Sequence, residues 1–144
     1  MSMEGDYLDQ SGSRIPYQYT PELSRRARAI EIWAALHSLG KKGIENLIDR
    51  TCGYADKFAE RVRSAGFEIL NSVVINQVLV SFGDSNLNEK IVSEIQADGT
   101  CWVGTSKWKG KTVMRISVSS WATTDEDVEK SLEAIIRIAN KNLK

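Results

Sequence analysis

One histidine, two cysteines and two prolines in 144 residues close off several kinds of chemistry at once. Cys52 and Cys101 make neither a disulfide framework nor a CxxC pair. A chain so poor in cysteine suits a reducing compartment, so a cytoplasmic location is expected. His37 stands between Leu36 and Leu39 in a helical pattern, without the partners that a zinc site or a Cys–His pair requires, so no metal is expected. Nineteen basic residues cancel nineteen acidic ones, which leaves no net field to draw nucleic acid or an anionic membrane. No run of about 18 apolar residues is present to span a bilayer. Met1 to Gln10 lacks the basic head and apolar stretch of a secretory signal. There is no Walker-type glycine loop, no GxSxG elbow and no His–Asp pair beside a nucleophile.

What remains is an ordinary globular composition, 42% hydrophobic and 26% charged, which argues against disorder and low complexity. Residues 1–19 carry Tyr7, Tyr17 and Tyr19 around the polar turn-former Ser11-Gly12-Ser13 and read as a loop segment, either a pinned tail or part of a site. Thr20-Pro21-Glu22 is a helix start: a hydroxyl cap, proline at the first helical position and an acid at the positive dipole end. Leu23, Ala27, Ile30 and either Trp33 or Ala34 recur at helical spacing, and Gly40 suits the stop, so residues 20–40 read as a helix.

Residues 41–144 read as a small α+β domain. Ile44, Leu47, Ile48, Ala55, Phe58 and Val62 make a second helical stripe that Gly66 ends. Phe67 to Leu70 and Val73 to Phe82 read as strands, and Leu87, Ile91, Val92 and Ile95 as a third helix. Cys101 to Trp108 and Thr112 to Ser119 form a strand pair joined at Lys109-Gly110-Lys111. Thr123-Thr124-Asp125-Glu126 opens a last helix whose buried face is Val128, Leu132, Ile135, Ile136 and Ala139. Hairpin-joined strands with helices on one face describe a two-layer domain with a largely antiparallel sheet.

Arg115 is the one chemically suggestive residue in this pattern. It alternates with Met114 and Ile116 on what reads as an inner strand, where a guanidinium requires a carboxylate or phosphate partner. Two readings follow: an ion pair within the domain, or a clamp for the carboxylate of a small ligand. Trp33 reads as core. Trp102 and Trp108, six residues apart, read as sharing one strand face, for packing or contact with a second domain.

Several segments together carry a resemblance. Tyr19-Thr20-Pro21-Glu22-Leu23-Ser24-Arg25-Arg26-Ala27-Arg28, continuing to Trp33-Ala34-Ala35-Leu36, resembles the helix after the cofactor lysine in group II pyridoxal-phosphate decarboxylases, which include the aromatic amino acid and glutamate decarboxylases. Asn76-Gln77-Val78-Leu79-Val80, Gln96-Ala97-Asp98-Gly99-Thr100-Cys101-Trp102 and Met114-Arg115-Ile116-Ser117-Val118-Ser119 resemble that family's C-terminal region in order and spacing, and Asp6-Tyr7-Leu8 its mobile active-site loop. The resemblance implies the C-terminal domain of a fold-type I pyridoxal-phosphate enzyme, with the loop remnant at 1–19, the connecting helix at 20–40 and the small domain at 41–144.

The resemblance also implies roles and a gap. Tyr7 matches a loop tyrosine that protonates the substrate carbon after carbon dioxide leaves, Leu23 an apolar residue lining the neighbouring subunit's substrate pocket, and Arg115 an arginine that holds a substrate carboxylate. The family's cofactor lysine follows a histidine, whereas none of the ten lysines here does. The expectation is therefore a part of an amino acid decarboxylase that is inactive alone, binds no pyridoxal phosphate by itself, lacks the large cofactor domain and forms a homodimer. The alternative is a stand-alone binding or dimerisation module without catalytic activity.

Overall fold

The computed structural model describes residues 27–143, which belong to two compact units, Met1–Gly40 and Lys41–Lys144. The expectations placed on Tyr7, on the tyrosines near it, on Leu23 and on the helix start at Thr20 lie outside the described residues.

Helix α1, Arg28–Ser64, is interrupted at Gly40, whose φ of 61° and ψ of −178° leave helical geometry. That backbone region is open to glycine because it lacks a Cβ. The expected helix end at Gly40 is thus a break, and the chain resumes helix directly at Lys41. In the first unit, Trp33 stacks on His37 one turn later, with ring centroids 5.1 Å apart and planes within 7°. Trp33 is not core, contrary to expectation. It is 64% exposed, and Ile30, Ile32, Leu36 and Leu39 are exposed with it. Apolar residues at 30, 32, 33, 36 and 39 lie within one half of the helix surface and are exposed, so the helical spacing marks an apolar face but not a buried one.

In the second unit α1 buries Thr51, Tyr54, Ala55, Phe58, Ala59 and Val62. The stripe begins one turn later than its apolar spacing suggests, since Ile48 is exposed. The remaining elements are β1 (Glu68–Ile69), β2 (Gln77–Ser81), α2 (Ser85–Asp98), β3 (Gly104–Trp108), β4 (Lys111–Ser117) and α3 (Asp125–Asn142). The four strands form one antiparallel sheet in the order β1-β2-β4-β3. This is the α+β class expected.

Local chemistry sets most boundaries. Asp84 caps α2 by accepting the Leu87 N–H at 2.8 Å, and Gly99 ends the helix in the left-handed region at φ 77°. Thr124 and Asp127 form the capping box of α3. Lys109 (φ 48°) and Gly110 (φ 81°) form the two-residue turn between β3 and β4, the left-handed pair that matches strand twist. The first strand pair is shorter than its β-branched content suggests. Asn71 accepts the Leu79 N–H through Oδ1 (2.8 Å) and donates Nδ2 to the Gln77 carbonyl (3.1 Å), so a side chain takes the place of strand backbone. Residues 73–75 stay outside the sheet, with Val74 80% exposed.

The core lies on one face of the sheet. Val78 and Val80 of β2 pair with Ile116 and Met114 of β4, and all four join the cluster formed by Phe58 and Val62 of α1, Ile91 and Ile95 of α2, and Leu132 and Ile135 of α3. On α3, Ala134 and Ile138 are also buried, whereas Ile136 is only half-buried. At the rim Lys57 sits 2.9 Å from Glu129 and 3.4 Å from Asp125, and Arg61 lies 3.1 Å from Glu129. The Lys57 hydrogen bond holds the Glu129 carboxyl below its usual range and raises the Lys57 ammonium in turn. Because the Glu129 value is lowered on folding, its contribution is present above the unfolded carboxylate range and is lost as pH falls through the folded value. Exposure keeps that contribution small.

Asn88 is the buried polar residue that ties these pieces together. It is fully buried, accepts the Phe82 N–H through Oδ1 (2.8 Å) and donates Nδ2 to the carbonyls of Asp84 (2.9 Å) and Thr112 (3.0 Å). Asn88→Ala leaves the Phe82 N–H and the Thr112 carbonyl without this partner, and we expect a loss of about 2–4 kcal/mol in urea unfolding. A change below about 0.5 kcal/mol would mean that Asn88 carries no structural load.

Candidate functional site

Strand alternation decides where Arg115 points. Met114 and Ile116 face the helices, so Arg115 between them faces the other way. β4 is an inner strand as expected, between β2 and β3, but Arg115 itself is exposed, and no carboxylate among the described residues pairs with it. The internal ion-pair reading therefore falls. In the register Arg115 stands opposite Leu79 of β2 and Gly104 of β3. Val113 and Ser117 flank it along β4, and Ser106, opposite Val113, shares its face. Leu79 and Val113 are themselves buried. The guanidinium therefore stands on an apolar floor with small neighbours at Gly104, Ser106 and Ser117, an arrangement that leaves its planar fork open to an incoming carboxylate.

The lysines do not build a cofactor site among the described residues. Lys107, Lys109 and Lys111 are exposed around the β3–β4 turn, and Lys107 Nζ donates to Thr112 Oγ1 at 2.6 Å. Lys57, the one described lysine that is not exposed, is held between Asp125 and Glu129. No described group of three or more His, Cys, Asp or Glu could hold a metal, and no described helix is long and apolar enough to cross a membrane.

A crevice of about 350 Å³ lies where the segment before β3 leaves β4, against the first turns of α3. The sequence reading did not single it out. Gln96 Nε2 donates to the Val103 carbonyl (2.7 Å) and Thr100 Oγ1 to Asp98 (2.6 Å), tying residues 100–103 to the end of α2. Arg50 donates to the Trp121 carbonyl at 2.6 Å and fixes the loop after β4. Ser117, Ser119, Ser120, Ser131 and Asp127 supply polar groups, and Trp102 stands at the rim, 78% exposed. Trp102 thus does not share a strand face with Trp108, because β3 starts only at Gly104. Burial pushes the Cys101 thiol up, which keeps it protonated and unsuited to attack. Hydrogen bonds from Thr124 hold the Asp127 carboxyl below its usual range, so it is ionised at neutral pH.

Comparison with known proteins gives this geometry a context. Residues 1–83 match the model of the pyridoxal-dependent decarboxylase conserved domain. An aromatic-L-amino-acid decarboxylase of Drosophila lebanonensis is 30% identical over 138 residues, covering 92% of this chain and 34% of that protein. A histidine decarboxylase of Drosophila melanogaster is 31% identical over 144 residues, covering 96% of this chain and 17% of the relative. Among solved structures, the Oryza sativa TDC with PLP superimposes with a TM-score of 0.78 at 17% identity, over 88% of this chain and 30% of that one. The Catharanthus roseus tryptophan decarboxylase in complex with L-tryptophan gives 0.71 at 22% identity, over 81% and 27%. The chain spans about a third or less of the length of these relatives.

An exposed guanidinium contributes little to folding, so Arg115→Met, which keeps most of the stem and removes the charge, should unfold within about 0.5 kcal/mol of the parent in urea. A loss above about 3 kcal/mol would instead indicate a buried charge pair.

Proposed function

Because the chain belongs to the pyridoxal-dependent decarboxylase family, we propose that it forms the connecting helix and C-terminal small domain of a cytoplasmic amino acid decarboxylase whose cofactor is carried by a larger domain. The observation that supports this most is the extent of the match: it runs through nearly the whole of this chain yet takes up about a third of the aromatic decarboxylase. In such an enzyme, bound pyridoxal phosphate supplies the electron sink for the breaking carbon–carboxylate bond. The described residues do not form a seat for that group, so their part is to bind and orient.

Arg115 pairs its fork with a substrate carboxylate, an interaction that fixes orientation as well as affinity. Tyr7 supplies a proton from its phenol to the substrate carbon once carbon dioxide has left. Leu23 lines the apolar part of a neighbouring subunit's pocket. The exposed apolar residues Ile30, Trp33, Leu36 and Leu39 form the surface that a large domain or the second protomer of a homodimer covers.

The chain by itself should not take up the cofactor covalently, since its described lysines are solvated or ion-paired, and such ammonium groups are poor nucleophiles. Incubation with pyridoxal phosphate, borohydride reduction and mass analysis should show no stoichiometric pyridoxyl-lysine. A single lysine modified to completion would overturn this assignment.

A further inference from the structure

The crevice beside β4 has features that the proposed decarboxylase role does not use. Val118 donates its N–H to the Asn76 carbonyl (2.9 Å) and accepts Asn76 Nδ2 at its own carbonyl (2.9 Å), both on the β2 side. Successive residues of a strand direct their backbone groups to opposite edges. The N–H and C=O of Ser117 therefore face the β3 side. There the ladder has already stopped, because its last pair is Gly104 with Arg115. Residues 100–103, which would continue β3, are bound to α2 instead. No described residue hydrogen-bonds these two backbone groups of Ser117. They form one donor–acceptor rung of an open strand edge, inside a lined crevice.

The charge of the crevice is equally specific. Asp127 is the only charged side chain among the described residues that line it. Both of its capping bonds use Oδ2, from the Thr124 N–H (2.9 Å) and the Thr124 hydroxyl (2.7 Å), which leaves Oδ1 without a hydrogen bond from a described residue. An open rung accepts an extended peptide backbone, and a carboxylate with no basic side chain among the described lining residues favours a cation there, with Lys130 acting on it only from outside the lining. The volume of about 350 Å³ lies at the small end of ligand pockets. It suits a dipeptide at roughly 3.4 Å per residue rather than a long strand.

We propose that this crevice binds a short extended peptide with a free amino terminus, its backbone paired to the Ser117 rung and its ammonium set on Asp127. The exposed Trp102 at the rim gives an apolar face for the peptide's second side chain.

Calorimetric titration of the full chain with alanyl-phenylalanine amide tests the proposal, beside its N-acetyl form and phenethylamine, an amine with no peptide group. The free dipeptide amide should saturate one site. Acetylation, and replacement by phenethylamine, should each weaken binding about tenfold, the scale of one lost charge-assisted or paired hydrogen bond. Ser117→Pro removes the open N–H without touching a ladder bond and should weaken the dipeptide by a similar factor. Asp127→Asn, which keeps the side-chain shape, should abolish the difference between free and acetylated peptide, and it serves as the deciding variant if Ser117→Pro does not fold. No saturable binding of the dipeptide amide, equal binding of the acetylated form or of phenethylamine, or a folded Ser117→Pro that binds like the parent would each overturn the proposal.

Discussion

The period-two alternation of β4 governs where every other part of the second unit can go. Met114 and Ile116 must face Val80 and Val78 across the pair and join the helices in one buried cluster. Once that face is committed, Arg115 is carried to the opposite one, and a one-residue slip would exchange a buried methionine for a guanidinium. Burying an unpaired guanidinium is costly, so the register is strongly specified. The arginine's availability to a ligand thus follows from the same contacts that stabilise the domain.

Polar side chains complete what the alternation begins. Asn88 joins the end of β2, the first turn of α2 and the start of β4 through one buried amide. Asn71 and Asn76 take over backbone bonds on the two edges of the start of β2. These asparagines help a sheet of short strands hold its order, while Gln96 and Thr100 tie residues 100–103 to the end of α2, where β3 leaves β4 and the crevice opens.

Much of this was legible in the sequence, and the reasons are local. The capping box at Thr124 and the left-handed turn at Lys109-Gly110 act within a few residues, so their signatures lie in neighbouring letters. The face of Arg115 was not legible. Leu79 and Val113, on its own face, are as apolar as their neighbours, so the pattern alone did not tell inside from outside. Trp33 misled for a related reason, because spacing marks an apolar face without saying whether anything covers it, and this face is exposed. The asparagine network and the crevice depend on residues far apart in the chain, as with Asn88 and Thr112, and no local signal announces them.

The central claim is that this chain supplies the small-domain part of an amino acid decarboxylase while another domain supplies the cofactor lysine. Its most direct measurement is carbon dioxide release from a panel of aromatic and acidic amino acids with added pyridoxal phosphate. The chain would be assayed alone and co-expressed with the lysine-bearing large domain of a pyridoxal-dependent decarboxylase. The account predicts release only when the two are purified as a complex, and a fall in kcat/KM of about a hundredfold or more when Arg115 in that complex becomes methionine. Turnover by the chain alone, or an Arg115→Met complex as active as the parent, would contradict it.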